Sequence, residues 1–354
     1  MKYTILVINP GSTSTKVAIW KDEELILQET IKHPADKLDK FPCVVDQFNL
    51  RLQAVDSAIA DWLEPDKLSA IAARGGPLRP LEGGTYAINE PMLDDLRTAR
   101  YSNHASNLGA ILAHHLAERL GIPCFVVDPV TVDEFTPLAR VSGFPGIERK
   151  CRSHALNIKA VARQVAEEIG KPLGGTDFVV AHMGGGLSIC PLAKGRIVDV
   201  NDGLLGMGPF SPERAGALPI GPLVELCYSG KYSKQELLRR LSIEAGLKGY
   251  LGTSDLVEVE NRIDEGDEEA KLYYEAMLYQ IAKEIGAAAA VLKGNLDGVI
   301  LTGGMSQSER LVETIKSYVS FLGPVFVIPG EKEMEALALG ALRVLQGEEE
   351  AKEY

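Results

Sequence analysis

The sequence predicts an α/β protein built from two domains of similar construction. Three observations lead there. A β-rich hairpin pattern occurs twice along the chain. Each copy is followed by helical patterns that alternate with short apolar strands. The length of 354 residues exceeds what one ordinary hydrophobic core organises.

The first hairpin is read from two β-rich runs, Tyr3–Asn9 and Thr15–Trp20, separated by Pro10-Gly11-Ser12-Thr13-Ser14, a turn with a hydroxyl-loaded tip. The second begins near residue 177, with Phe178–His182, the turn Met183-Gly184-Gly185-Gly186, then Leu187–Leu192 and a third strand over Gly195–Val200. A recurring pattern of this kind signals a duplicated unit. In the first half, a helix is expected over Asn107–Leu120, stopped by Gly121 and followed by a strand at Cys124–Asp128. In the second, residues 267–293 carry the longest helical pattern. Gly286 and four alanines, Ala287–Ala290, leave little polar face at its end, so it packs between layers or against another chain. A strand at Gly298–Leu301, a turn over Thr302–Ser306 and a helix from about Ser308 follow. An amphipathic helix over Ala336–Leu345 and a solvated acidic tail close the chain.

Composition removes several functional classes. A net charge of -12, with no Lys/Arg-rich run to offset it locally, repels nucleic acid and anionic membrane. The five cysteines are scattered and never form C-x-x-C, which argues against zinc and against a disulfide framework and points to reduced thiols in the cytoplasm. No apolar stretch approaches the ~18 residues that span a bilayer, and no leader pattern precedes the first strand.

Three Gly-rich turns, each after a strand, carry the chemistry: Gly11–Ser14, Gly184–Gly186 and Gly303–Ser306. Neither the P-loop pattern nor a G-x-G-x-x-G opening a helix is present, so phosphate must be held differently. Glycines let backbone N–H groups approach an anion closely. Ser12, Thr13 and Ser14 add hydroxyl donors, and Lys16 a point charge. Any one of these turns alone is a plain hairpin. Three in one chain, two of them at matching places in the halves, point to a clamp for a polyphosphate.

These motifs resemble the acetokinase family, within the acetate and sugar kinase, heat-shock ATPase and actin superfamily. Val7–Lys16 is similar to its first phosphate motif, Ala181–Ser188 to the second, and Leu301–Ser306 to its adenosine motif. The resemblance implies two ribonuclease-H-like domains with a duplicated βββαβαβα core and an interdomain active-site cleft. The first would comprise residues 1–150 plus the C-terminal helix at 335–354, and the second residues 151–334. It implies ATP and Mg²⁺ as cofactors, a small carboxylic acid as substrate, and a homo-oligomer.

Carried over residue by residue, Asn9, Ser12, Ser14 and Lys16 fall where the family contacts transferring phosphate. Arg74 and Arg214 match its two acceptor-site arginines. Asp128 matches the magnesium-linked aspartate, and Glu333 its glutamate partner, with Glu331 and Glu335 competing in register. His104 resembles the substrate-side histidine and equally suits the cap of the helix after Ser106. His154 matches the histidine near the transferring phosphate. His182 is expected to line phosphate rather than sit in the core. Asp202, in Asn201-Asp202-Gly203, is a secondary nucleotide contact, and Gly303, Gly304 and Met305 belong to the adenosine turn.

The reaction the resemblance implies, phosphorylation of a short-chain fatty acid to its acyl phosphate, suits these residue types. A carboxylate of pKa ~4–5 is already ionised at neutral pH, so no general base is needed. What is needed is neutralisation of two anions, and arginines and a metal supply it. Gly75-Gly76, standing where acetate kinases carry two valines, is expected to open the acyl pocket. With the Arg152-Ser153-His154-Ala155 run, this favours the butyrate branch, for butyrate or isobutyrate, over acetate or propionate. A hydroxyl-acceptor sugar kinase and a non-catalytic ATPase switch on the same fold are the alternatives.

Overall fold

The computed structural model describes residues 2–64 and 66–354. The chain divides into two compact units. Unit 1 comprises residues up to Asp133, Ala155–Asn157 and Lys332–Tyr354, and unit 2 comprises Glu134–His154 and Ile158–Glu331.

Unit 1 holds a six-stranded sheet of β1 (Thr4–Pro10), β2 (Ser14–Lys21), β3 (Glu24–Lys32), β4 (Ala70–Ala73), β5 (Thr85–Ala87) and β6 (Cys124–Val127), in the order β3-β2-β1-β4-β6-β5. β1, β4 and β6 run parallel and the others antiparallel to their neighbours. β1 is buried along nearly its whole length because both faces are covered, whereas the edge strand β3 is charged and exposed. Leu6, Ile8, Ile71 and Val126 share a core with the helices Phe48–Ala58, Glu90–Arg97 and Asn107–Leu120. The helix Glu333–Gln346 packs over β1, β4 and β6, approaching so closely that a Cβ at Gly340 would fall 2.5 Å from Val127.

Unit 2 holds β7 (Asp177–Met183), β8 (Leu187–Ala193), β9 (Arg196–Ile197), β10 (Gly298–Gly303) and β11 (Val325–Pro329), in the order β11-β10-β7-β8-β9. The sequence β9-β8-β7-β10-β11 repeats β3-β2-β1-β4-β6, and this is the duplication that the hairpin patterns signalled. Val179, Ala181, Met183, Ile189, Val299 and Leu301 pack under the helices Glu268–Val291 and Glu309–Val319. Asp267 and Ser308 cap those helices by accepting the N–H groups of Ala270 and Leu311. The alanine run is buried on one side only, at Ala288 and Ala289.

Three expectations differ from the structure. Residues 134–150 belong to unit 2 rather than to the first domain. Glu134 accepts hydrogen bonds from Lys159 Nζ at 3.0 Å and from the Ile197 N–H at 2.7 Å, Thr136 N–H donates to Val198 O, and Arg149 pairs with Asp199 at 2.7 Å. The third strand of the second hairpin is cut to two residues: the Val198 N–H still bonds to Pro191 O at 3.2 Å, but Asp199 and Val200 turn to Arg149. The acidic tail is docked rather than solvated. The Ala87 N–H donates to Lys352 O, and the Tyr354 hydroxyl donates to Asp95 Oδ2 at 2.7 Å while accepting the Arg79 N–H.

Candidate functional site

In each unit the chemically loaded residues gather at the carboxyl ends of the parallel strands, where α/β sheets place their ligands. In unit 1 these ends are Asn9 and Pro10 on β1, Arg74 after β4 and Asp128 after β6. Glu333, in the first turn of the C-terminal helix, joins two of them. Its Oε2 accepts from Asn9 Nδ2 at 2.9 Å and from Arg74 Nη1 at 2.8 Å. Of the three carboxylates in register, Glu331 lies 3.9 Å from His182 and Glu335 pairs with Lys332 at 3.3 Å, so the corner belongs to Glu333. Lys16 stands directly across the hairpin from Asn9, which puts both on one face of the sheet.

The hairpin tip is polarised. The Gly11 N–H closes the turn on Ser14 O at 2.7 Å, while the N–H groups of Ser12 and Thr13 meet no acceptor among the described residues. Ser12 and Thr13 are exposed and Ser14 half-buried. His104 serves two purposes. Its Nδ1 accepts from the Ser106 N–H and hydroxyl, tying down the start of the helix, which leaves Nε2 as the protonated nitrogen. Lost hydration and then the Arg74 charge lower its pKa, keeping the ring neutral at pH 7. Asp128 is buried with φ at 38°, and its Oδ1 accepts the Gly84 N–H at 2.7 Å.

Gly76 does not open space. A Cβ there would stand 2.8 Å from Cα and 2.9 Å from N of Asn107, and one at Gly75 would stand 2.5 Å from Val126. The missing side chains let the strand end pass close under the start of the helix Asn107–Leu120, so this pair packs against its neighbours instead of opening an acyl pocket as expected.

In unit 2 the turn Gly184–Gly186 lies between β7 and β8, with the amides of Gly185 and Gly186 free of protein acceptors among the described residues. Ser211 braces the turn. Its hydroxyl donates to Gly185 O at 2.6 Å and accepts the Arg214 N–H at 3.1 Å. Arg214 lies against Gly186, where a Cβ would run into its guanidinium, and Nη1 donates to Gly203 O. Its Nε is buried without a partner among the described residues, and burial lowers its pKa. His154 stacks on His182 with ring centroids 4.0 Å apart, and its Nδ1 meets Ser188 Oγ at 2.9 Å.

His182 sits beneath the turn rather than on its open side. It is 1% exposed, and burial, with a further push from His154, lowers its pKa to about 2, so the ring is neutral. Asp202 accepts the Leu204 N–H at 3.0 Å and meets Arg152 at 3.4 Å. Gly303 needs its φ of +90°, and a Cβ there would clash with the Met183 backbone, so the turns after β7 and β10 lie side by side. Gly304 is open, but the Met305 side chain is buried in the core, which leaves only its backbone for a ligand.

Sequence reading missed Arg51, Asn107, Ser211 and Gly109. The first three act through contacts remote in sequence. Gly109 admits the Arg74 carbonyl where a Cβ would block it. Beside Arg214 lies an apolar cavity of about 740 Å³, walled by Leu187, Leu204, Leu205, Met207 and Leu241. Among the described residues no group of three or more His, Cys, Asp or Glu is arranged to hold a metal ion, and no helix is long and apolar enough to cross a membrane.

The family model described as "Acetokinase family" matches residues 145–335, more than half of the chain. The fold is also that of solved kinases. A Porphyromonas gingivalis acetate kinase is similar at 20% identity and TM-score 0.77, over 97% of this chain and 100% of that one. A propionate kinase from Francisella tularensis subsp. tularensis SCHU S4 is similar at 19% and 0.71, over 96% and 98%. An Entamoeba histolytica acetate kinase is similar at 16% and 0.76, over 97% and 99%.

Proposed function

The chain belongs to the acetokinase family of carboxylate kinases, and we propose that it transfers the γ-phosphoryl group of ATP to a short-chain fatty acid, preferring butyrate or isobutyrate, to give acyl phosphate and ADP reversibly. The observation that carries this reading is the corner in which Asn9 and Arg74 converge on Glu333, beside a hairpin tip whose amides have no protein acceptor.

The acid arrives ionised, so the chain has no proton to remove from it. Arg74, fixed by Glu333 through one nitrogen, keeps guanidinium donors for the carboxylate and sets one of its oxygens in line with the γ-phosphorus. As the new O–P bond forms, the bond from phosphorus to the β–γ bridging oxygen breaks and its electron pair leaves on ADP. In unit 1 the amides of Ser12 and Thr13, and in unit 2 the amides of Gly185 and Gly186 with the Arg214 guanidinium, are each donors suited to phosphate oxygens. Neutral His104 donates from Nε2 toward the acid.

Glu333, with Asp128, would hold a magnesium ion that accompanies the nucleotide. Glu333 Oε1 takes no protein donor among the described residues, which leaves it open to a cation. Such an ion would supply neutralisation of phosphate charge.

Unit 2 carries by itself, beside Arg214, an apolar cavity of the kind that takes an aliphatic chain. At about 0.8 kcal/mol per buried methylene, two more methylenes favour butyrate over acetate by roughly tenfold. Exposed Leu138, Val141 and Tyr228 on unit 2 support a homo-oligomer, which sedimentation would read. The scattered cysteines, none in a C-x-x-C pair, support a reducing, cytoplasmic setting. The test of the activity is acyl hydroxamate formation with ATP, Mg²⁺ and hydroxylamine across acetate, propionate, butyrate and isobutyrate. Butyrate or isobutyrate should give the highest kcat/KM. Absence of hydroxamate from every acid defeats the activity, and an acetate optimum defeats the chain-length preference.

A further inference from the structure

Beneath the first hairpin tip lies a side chain that the mechanism above does not use. Arg51, on the helix Phe48–Ala58, is 0% exposed. Its Nη1 donates to Gly11 O at 2.9 Å, Ser14 O at 3.0 Å and Thr15 Oγ1 at 3.1 Å, and its Nη2 donates to Ser12 O at 3.0 Å. Gln47 Oε1 takes Nε at 3.1 Å and Nη2 at 2.9 Å. The remaining tip carbonyl, Thr13 O, accepts the His33 N–H at 2.8 Å. Every carbonyl from Gly11 to Ser14 is thereby bonded within the protein, while the Ser12 and Thr13 amides are not.

All the acceptors of Arg51 are uncharged, and among the described residues no carboxylate pairs with it. Burial lowers its pKa to about 10, so it stays charged at neutral pH. The titratable neighbour is His33, whose Nε2 meets Thr15 Oγ1 at 2.9 Å and whose pKa burial and Arg51 both depress, so it adds no negative charge. A buried guanidinium without a counter-ion is costly unless an anion completes it.

We propose that Arg51 is a positioning residue for bound polyphosphate: it draws the tip carbonyls inward so that only N–H and hydroxyl donors face out, and its unmatched charge is neutralised by the phosphates of the nucleotide. This rests on reading the hairpin as the phosphate holder, not on which acid is phosphorylated. It differs from a packing role because the anion is part of the charge balance.

The experiment supplies the missing counter-ion from within. Gln47→Glu keeps the shape and both hydrogen bonds but places a carboxylate against the guanidinium. Binding of MgATP, and of tripolyphosphate as a nucleoside-free probe, is measured by titration calorimetry on the full chain, with Tm and the KM for butyrate alongside. In Q47E we expect both affinities to fall about tenfold while Tm holds or rises. The KM for butyrate should stay within about twofold, since the acid is held elsewhere. Wild-type affinity for both probes in folded Q47E overturns the proposal. Arg51→Met is the second variant, in which weakened tripolyphosphate binding is again expected and unchanged binding again overturns it. Because binding is read without an acceptor acid, failure here is distinguishable from failure of the hydroxamate assay.

Discussion

Replacing Gly76 with valine places a Cβ 2.8 Å from Cα and 2.9 Å from N of Asn107, at the buried start of a helix. That start has little room to retreat. The Asn107 N–H is bonded to His104 O at 2.9 Å, and its side-chain Nδ2 donates to Leu96 O at 3.3 Å and to Ser102 O at 2.8 Å. Overpacking of this kind costs about 1–3 kcal/mol. For a unit of this size each kcal/mol moves Tm by about 2–4 °C, so a fall of roughly 2–12 °C is expected by scanning fluorimetry. A side chain that filled an acyl pocket would instead change the ratio of kcat/KM for acetate over butyrate by roughly tenfold or more. The strain account predicts that the ratio stays within about twofold even if both activities drop. A Gly76→Val enzyme with unchanged Tm and a ratio shifted toward acetate would refute it.

Other expectations follow from the same contacts. Glu333→Gln removes the charge that fixes Arg74 and Asn9, and a charged hydrogen bond of about 1.5–3 kcal/mol predicts a 10- to 100-fold loss in kcat/KM, read by initial rates, with more Mg²⁺ needed for half-saturation. His182 has a folded pKa far below its unfolded value, so its contribution to stability is complete above about pH 6.5 and is lost as pH falls, by about 1.4 kcal/mol per pH unit. Urea unfolding at pH 7, 6 and 5 should show that slope, and His182→Gln should reduce it by about one proton. Tyr354→Phe removes the bonds to Asp95 and Arg79 and should lower stability by about 1 kcal/mol with kcat/KM unchanged; intact stability would mean the tail is not anchored there.

What the sequence disclosed was local. The two hairpins were legible because β-branched runs flank turns whose composition is diagnostic, and the helix at Asn107–Leu120 because Gly121 ends it in the left-handed region. The corner at Glu333 was legible only as one of three candidates. Asn9 and Glu333 are 324 residues apart in sequence, and the helix starting at Glu333 decides which carboxylate reaches back. Arg51 gave no signal, since an arginine on an ordinary helix looks solvated until the tertiary fold lays it under the tip. The Gly75-Gly76 pair misled for a physical reason. An absent side chain leaves room only if nothing else occupies it, and Val126 and Asn107 do. His182 likewise looked available at a strand end, yet the ring of His154 covers it.

In the proposed transfer a carboxylate oxygen of the acid attacks the γ-phosphorus at the corner held by Arg74. The direct test is ³¹P NMR of the product formed from ATP and ¹⁸O-labelled butyrate. An acyl phosphate resonance carrying the isotope shift of a bridging ¹⁸O is expected, and its loss in Arg74→Ala. Consumption of ATP to unlabelled inorganic phosphate, or labelled product undiminished in Arg74→Ala, would contradict it.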